Sequence, residues 1–216
     1  MAYPARKLIK IFLNQLYSFA IKNDIVEKRY SEFIDIGKNE GKTNRKPFTE
    51  KEIQKLFNNA YKFDFVDTVL IQIYTCLRIG ELLSIETKEM HLEERYMIGG
   101  SKTKAGKNRI IPINKKIEPF IRKHYDPKNK YLITNKKGEQ TKYSNYKREK
   151  WDNIMEKLKM EHKPHDCKHT GISLLDSAGG NKLCIKRIVD HASQDITEDV
   201  YTHKTIKELV DTIDLI

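Results

Sequence analysis

The sequence predicts a mainly α-helical protein with one small antiparallel β-sheet, laid out as a helical segment, a linker and a larger domain. Three features lead to this reading. Apolar residues recur at helical spacing along most of the chain, and two short β-prone runs flank a glycine-containing stretch near its middle. The basic residues gather in one quarter of the sequence.

From the N-terminus, Leu8, Ile11, Phe12, Leu16 and Phe19 form the apolar stripe of an amphipathic helix over residues 5–22, and a second short helix is expected near 30–36. Two helices bury too little surface to stand alone, so residues 1–36 read as the C-terminal fragment of a helical domain that begins upstream. Residues 37–47, with Gly37, Gly41, Asn44 and Pro47, read as a linker. The larger domain, residues 48–216, opens with Thr49-Glu50-Lys51-Glu52, a capping box in which Thr49 is the N-cap. An apolar helix is expected over 64–77, and Arg78 starts another. Tyr96–Ile98 and Arg109–Ile113 predict a hairpin or three-stranded sheet around Gly99, Gly100 and Gly106. Further helices are expected near 115–125, 144–161, 166–178, 182–189 and 204–214.

Composition narrows the class. The chain of 216 residues is 38% hydrophobic and 33% charged, which suits a globular protein. It contains neither an apolar run of membrane-spanning length nor the apolar core of a signal peptide. Cys76, Cys167 and Cys184 are far apart and lack CxxC spacing, so no disulfide framework is expected and a reducing cytoplasm fits best. The net charge is +11, yet residues 101–150 hold 16 Lys/Arg against 4 Asp/Glu. Such concentration is the footprint of a polyanion partner, or else a solvated lysine-rich face.

Cutting a phosphodiester calls for a hydroxyl nucleophile, cations on the non-bridging oxygens, and an acid for the leaving oxygen. No carboxylate cluster has the look of a two-metal site. His162, His165 and His169 would stack at i, i+3 and i+7 on a helix, but no carboxylate or cysteine pair accompanies them, and no metal is assigned.

Four segments carry a resemblance. Tyr74-Thr75-Cys76-Leu77-Arg78-Ile79-Gly80-Glu81-Leu82-Leu83 places Glu three residues after an arginine. Ser101-Lys102-Thr103-Lys104-Ala105-Gly106-Lys107 leads into Arg109-Ile110-Ile111-Pro112-Ile113. Pro164-His165-Asp166-Cys167-Lys168-His169-Thr170-Gly171 puts a basic residue three after a histidine, followed by His-Thr. Ile188-Val189-Asp190-His191 precedes Asp199-Val200-Tyr201-Thr202-His203 by a short gap. In this order the segments resemble the motifs of tyrosine recombinases, and among them most resemble integrases of phages and conjugative elements of Gram-positive bacteria. Residues 5–36 also resemble the last helices of that family's core-binding domain.

The resemblance implies a catalytic domain that cleaves and rejoins DNA through a 3′-phosphotyrosyl link at Tyr201. Arg78, Lys168 and His191 would hold the phosphate, His165 would assist proton transfer, and Lys102 would protonate the leaving 5′ oxygen. Glu81 matches a positioning carboxylate. Lys104, Lys107 and Arg109 would touch the DNA backbone, and Lys142, Tyr143, Asn145, Lys147 and Arg148 would meet its groove or backbone. Two positions depart from the pattern. Lys168 stands where the family has its second arginine, keeping the charge but losing the planar fork, and Asp190 replaces a glycine. The implied partner is double-stranded DNA, engaged by a homotetramer, with no cofactor, small-molecule substrate or membrane. The apolar tail, with Ile206, Leu209, Val210, Ile213 and Leu215, would pack either on a neighbouring subunit or on its own domain. The rival readings are a DNA-binding protein of the same fold with impaired catalysis, and a type IB topoisomerase.

Overall fold

The computed structural model describes residues 1–39, 46–100, 108–189 and 205–216. It forms two compact units, residues 1–44 and 45–216. In the first, α1 (Tyr3–Lys22) starts on Pro4, whose fixed φ suits a first turn. A 3-10 turn follows at Tyr30–Phe33. Polar contacts hold the two together: Ser31 Oγ donates to Asn14 Oδ1 (2.6 Å), and Lys10 Nζ to the carbonyl of Ile34 (2.6 Å). The apolar stripe that predicts the helix remains uncovered. No residue of α1 is buried, and Leu8, Phe12, Leu16 and Phe19 are all exposed.

In the second unit, α2 (Glu50–Asn59) carries the expected capping box: Thr49 Oγ1 accepts from the Glu52 N–H and Glu52 Oε2 accepts from the Thr49 N–H (2.8 Å). Next comes α3 (Val66–Thr75), all ten residues of which are buried, including Asp67, with which Lys123 and His124 pair. It ends on Cys76 in the left-handed region, φ 54°, and α4 (Ile79–Leu82) leaves immediately after. The sheet is β1 (Met90–His91), β2 (Tyr96–Gly99) and β3 (Arg109–Pro112), antiparallel in that order, with Met97 opposite Ile111. Helices α5 (Glu118–His124) and α6 (Tyr143–Tyr146) follow. A π-turn at Lys147–Trp151 joins α6 to α7 (Asp152–Lys157). Then come α8 (Pro164–Ser177), α9 (Lys182–Val189) and α10 (Ile206–Ile213).

The π-turn interrupts the helix expected over 144–161. It accompanies the burial of Trp151, whose Nε1 donates to the His162 carbonyl (3.0 Å), and no Gly or Pro announces it. The C-terminal tail packs on its own unit. Leu209, Val210 and Ile213 are buried, Asp214 takes a two-pronged ion pair from Arg95 (3.1 and 2.7 Å), and Asn114 Nδ2 donates to the carbonyls of Ile213 and Ile216.

Helices α3 and α8 cross at Gly171. A Cβ there would lie 2.2 Å from the Ile73 carbonyl oxygen and 2.6 Å from Cys76 Sγ, closer than atoms approach. Gly171→Ala must therefore push the two helices apart and is expected to cost about 1–3 kcal/mol, read as a lower urea midpoint with unchanged slope. Gly80→Ala, where a Cβ meets nothing within 4 Å, is expected to leave the midpoint level or raise it slightly.

Candidate active site

The crossing of α3 and α8 brings together residues that are distant in sequence. Arg78 follows the end of α3, and Lys168 lies three residues before Gly171 on α8. Glu81, on the first turn of α4, stands between the cations. Its Oε1 accepts from Arg78 Nη1 (2.8 Å), and its Oε2 accepts from the Arg78 backbone N–H (2.9 Å) and from Arg109 Nη2 (3.1 Å). The Glu81 side chain is 4% exposed and that of Arg109 8%, whereas Arg78 is 41% exposed. One carboxylate thus holds two guanidiniums from different elements, one at the rim and one inside.

Lys168 is 3% exposed, and its Nζ donates to the Val189 carbonyl. Burial, reinforced by Arg78 and Arg109 and opposed by Glu81, lowers its pKa from the usual 10.5 to about 8. Two further features surround it. Burial pushes the Cys76 thiol up to about 12, so this neighbour is a neutral packing group at pH 7. Arg109 Nη1 donates to the Ile188 carbonyl (2.8 Å), so the ends of both buried cations reach consecutive carbonyls in the last turn of α9. Among the described residues, three cations gather around one carboxylate here, an arrangement that suits an anion.

His165 is exposed on the first turn of α8, one helical turn before Lys168, and its ring meets that of His169 edge-on at 4.8 Å. His162 does not join them. It precedes α8, stacks on Phe48 at 3.8 Å, and its Nε2 lies 3.1 Å from Glu52 Oε1. The three-histidine stack therefore does not form. Lys102, Lys104, Lys107, His191 and Tyr201 lie outside the described residues.

Among the residues expected on DNA, Lys142, Tyr143, Asn145, Lys147 and Arg148 are exposed on α6, its N-cap and the π-turn. Lys147 pairs with Asp152 (2.9 Å) and Arg148 with Glu149 (2.8 Å), both at the surface, where such pairs are weak and a phosphate can displace them. Lys142 and Asn145 also line a cleft of about 690 Å³ with Lys136, Lys137 and Lys150. Arg109 differs from this group, because its guanidinium faces inward to Glu81. The sequence reading misses that orientation: an arginine opening a β-strand carries the same local signal whether it faces solvent or the core.

Residues 21–208 match the Phage integrase family. The chain belongs to that family. Curated relatives include Tyrosine recombinase XerA of Saccharolobus solfataricus, 28% identical over 172 residues, covering 76% of this chain and 54% of that protein. The transposase from transposon Tn916 of Enterococcus faecalis is 23% identical over 249 residues, covering 94% of this chain and 59% of that protein. The chain thus spans a little over half the length of these relatives. Among solved structures, the Tn1549 transposon integrase in complex with circular intermediate DNA superposes with a TM-score of 0.73 at 20% identity, over 96% of this chain and 78% of that one. A lambda integrase dimer bound to a core site gives 0.69 at 15% identity, over 92% and 74%. These likenesses establish an integrase-type catalytic fold.

The buried lysine makes stability depend on pH. With its folded pKa near 8 and an unfolded value near 10.5, Lys168 binds fewer protons in the folded chain between those limits, so stability rises with pH across that window. Measured against Lys168→Met by urea unfolding from pH 7.5 to 10, the native chain is expected to gain about 2 kcal/mol relative to the variant, at no more than about 1.4 kcal/mol per pH unit.

Proposed function

We propose that this chain is the catalytic portion of a site-specific DNA recombinase or integrase. Residues 48–216 form the catalytic domain, residues 37–47 a linker, and residues 1–36 the C-terminal fragment of a core-binding domain. The uncovered apolar stripe of α1 supports the last assignment, because a helix with that face needs a partner.

The reaction proceeds by exchange of phosphodiesters. Tyr201 Oη attacks the scissile phosphorus, the P–O5′ bond breaks, and the 5′ oxygen takes a proton from Lys102. The 3′-phosphotyrosyl link keeps the energy of the broken bond. A 5′-hydroxyl of the partner strand then attacks it, forming the new P–O5′ bond and returning Tyr201 as phenol. Arg78, Lys168 and His191 hold the non-bridging oxygens, and His165 assists the transfer of the tyrosine proton. The observation that carries this reading is the convergence of Arg78 and Arg109 on Glu81, with Lys168 within their electrostatic reach and His165 exposed one turn before it on α8. Lys104, Lys107, Lys142, Tyr143, Asn145, Lys147 and Arg148 serve DNA binding. Joining two duplexes calls for a homotetramer; the tail helix packs on its own unit, and the contact we assign to a neighbouring subunit is its outward Leu215, 52% exposed.

Lys168 supports a second reading, a DNA-binding protein of the same fold with impaired catalysis. A point charge tied to a backbone carbonyl grips a phosphate less well than an arginine fork.

A nicked suicide duplex separates the two. The native chain is incubated, with EDTA, with nicked duplexes drawn from the DNA flanking its own reading frame, and covalent protein–DNA bands are read on a denaturing gel. The expected result is an adduct that Tyr201→Phe abolishes and Lys168→Arg increases on the order of tenfold or more. DNA binding without an adduct, even in Lys168→Arg, would leave the binding reading in its place.

A further inference from the structure

Arg109 links three of the described elements. It opens β3, its Nη2 donates to Glu81 on α4 (3.1 Å), and its Nη1 donates to the carbonyl of Ile188 in the last turn of α9 (2.8 Å). Its side chain is 8% exposed. Helix carbonyls point toward the C-terminal, negative end of the helix dipole, so a guanidinium placed on the last described turn is favoured. Lys168 reaches the next carbonyl, that of Val189. The chain beyond Val189 leads directly to His191 and Tyr201. The same carboxylate that receives Arg109 also receives Arg78, so the end of α9 is tied through one guanidinium and one carboxylate to the arginine at the rim of the site.

We propose that Arg109 is a positioning residue, a joint that fixes the end of α9 against the Glu81–Arg78 pair and so sets where the nucleophile segment departs, rather than a contact to the DNA backbone. The proposal rests on the recombinase reading above. The joint needs a fork. Two donors pointing in different directions from one planar group serve Glu81 and Ile188 together, and a lysine ammonium on a flexible stem does not hold both in one geometry. A residue that acts in this way leaves DNA affinity untouched and changes the rate once DNA is bound. A phosphate contact behaves oppositely: its removal weakens binding to any sequence and reduces the salt slope by about 1.

The test compares the native chain with Arg109→Lys and Arg109→Gln, each first checked by circular dichroism melting. Affinity for mixed-sequence duplex DNA is measured over a series of salt concentrations, and adduct formation on the nicked suicide duplex is timed at saturating DNA. The joint predicts an unchanged salt slope with an adduct rate at least tenfold lower in both variants, the charge-preserving lysine giving no rescue. It also predicts faster amide hydrogen exchange over residues 182–189. A slope lower by about 1, with or without a loss of rate, would put Arg109 on the DNA and overturn the proposal, as would variants that match the native chain throughout. Should the native chain itself form no adduct, the recombinase reading fails instead. The joint is then decided by the salt slope and the exchange of residues 182–189 alone: faster exchange at an unchanged slope supports it, and unchanged exchange overturns it.

Discussion

At the crossing of α3 and α8, Gly171 lets one helix lie directly against the last turn of the other, and the site follows from that approach. Arg78 departs where α3 ends at Cys76, and Lys168 sits one turn before Gly171 on α8. Separate the helices by the width of a methyl group and the two cations separate with them. Glu81 then organises what the crossing has gathered, because its two oxygens take donors from the backbone of Arg78, the side chain of Arg78 and the side chain of Arg109. Lys168 is a third charge in this buried setting, and its pKa is lowered first by burial and then by the Arg78 and Arg109 guanidiniums, with Glu81 in partial opposition. Gathered positive charge of this kind is a setting in which an anion is favoured.

The choice of lysine at position 168 has consequences of both kinds. A buried arginine stays charged at any working pH and presents two parallel donors, whereas the lysine presents one charge that its surroundings make easier to lose. In the structure that charge rests on the Val189 carbonyl, so a phosphate must compete with the end of α9 for it. The balance between the two proposed readings of its function therefore turns on how well one ammonium does the work of a guanidinium.

Local signals in the sequence were enough for the parts of the fold that local physics decides. The capping box at Thr49 and Glu52, the apolar run of α3 and the paired strands β2 and β3 all form as read, because each depends on residues a few positions apart or on a short alternating pattern. Three features needed the tertiary structure. The π-turn at Lys147–Trp151 follows from seating one indole against the His162 carbonyl, which no periodicity reports. Arg109 turns inward because Glu81 and the last turn of α9 meet it there, a contact spanning 28 residues in one direction and 79 in the other. The tail, for which two packings were open, settles on its own unit through Arg95–Asp214 and the Asn114 amide, partners far away in the chain. Of the candidate site, Arg78, Glu81 and Lys168 were legible as motif positions, and their mutual geometry was not.

The central claim is that a phosphate held by this cluster is attacked by Tyr201, and mass spectrometry of the covalent product tests it most directly. The chain is trapped on nicked DNA, digested with nuclease and then trypsin, and the peptides are sequenced. The account predicts that the peptide containing Tyr201 carries the mass of a nucleotide through a phosphotyrosyl bond, and that no other peptide does. A nucleotide found on a different residue, or unmodified Tyr201 peptide as the only form recovered from DNA-bound protein, would contradict it.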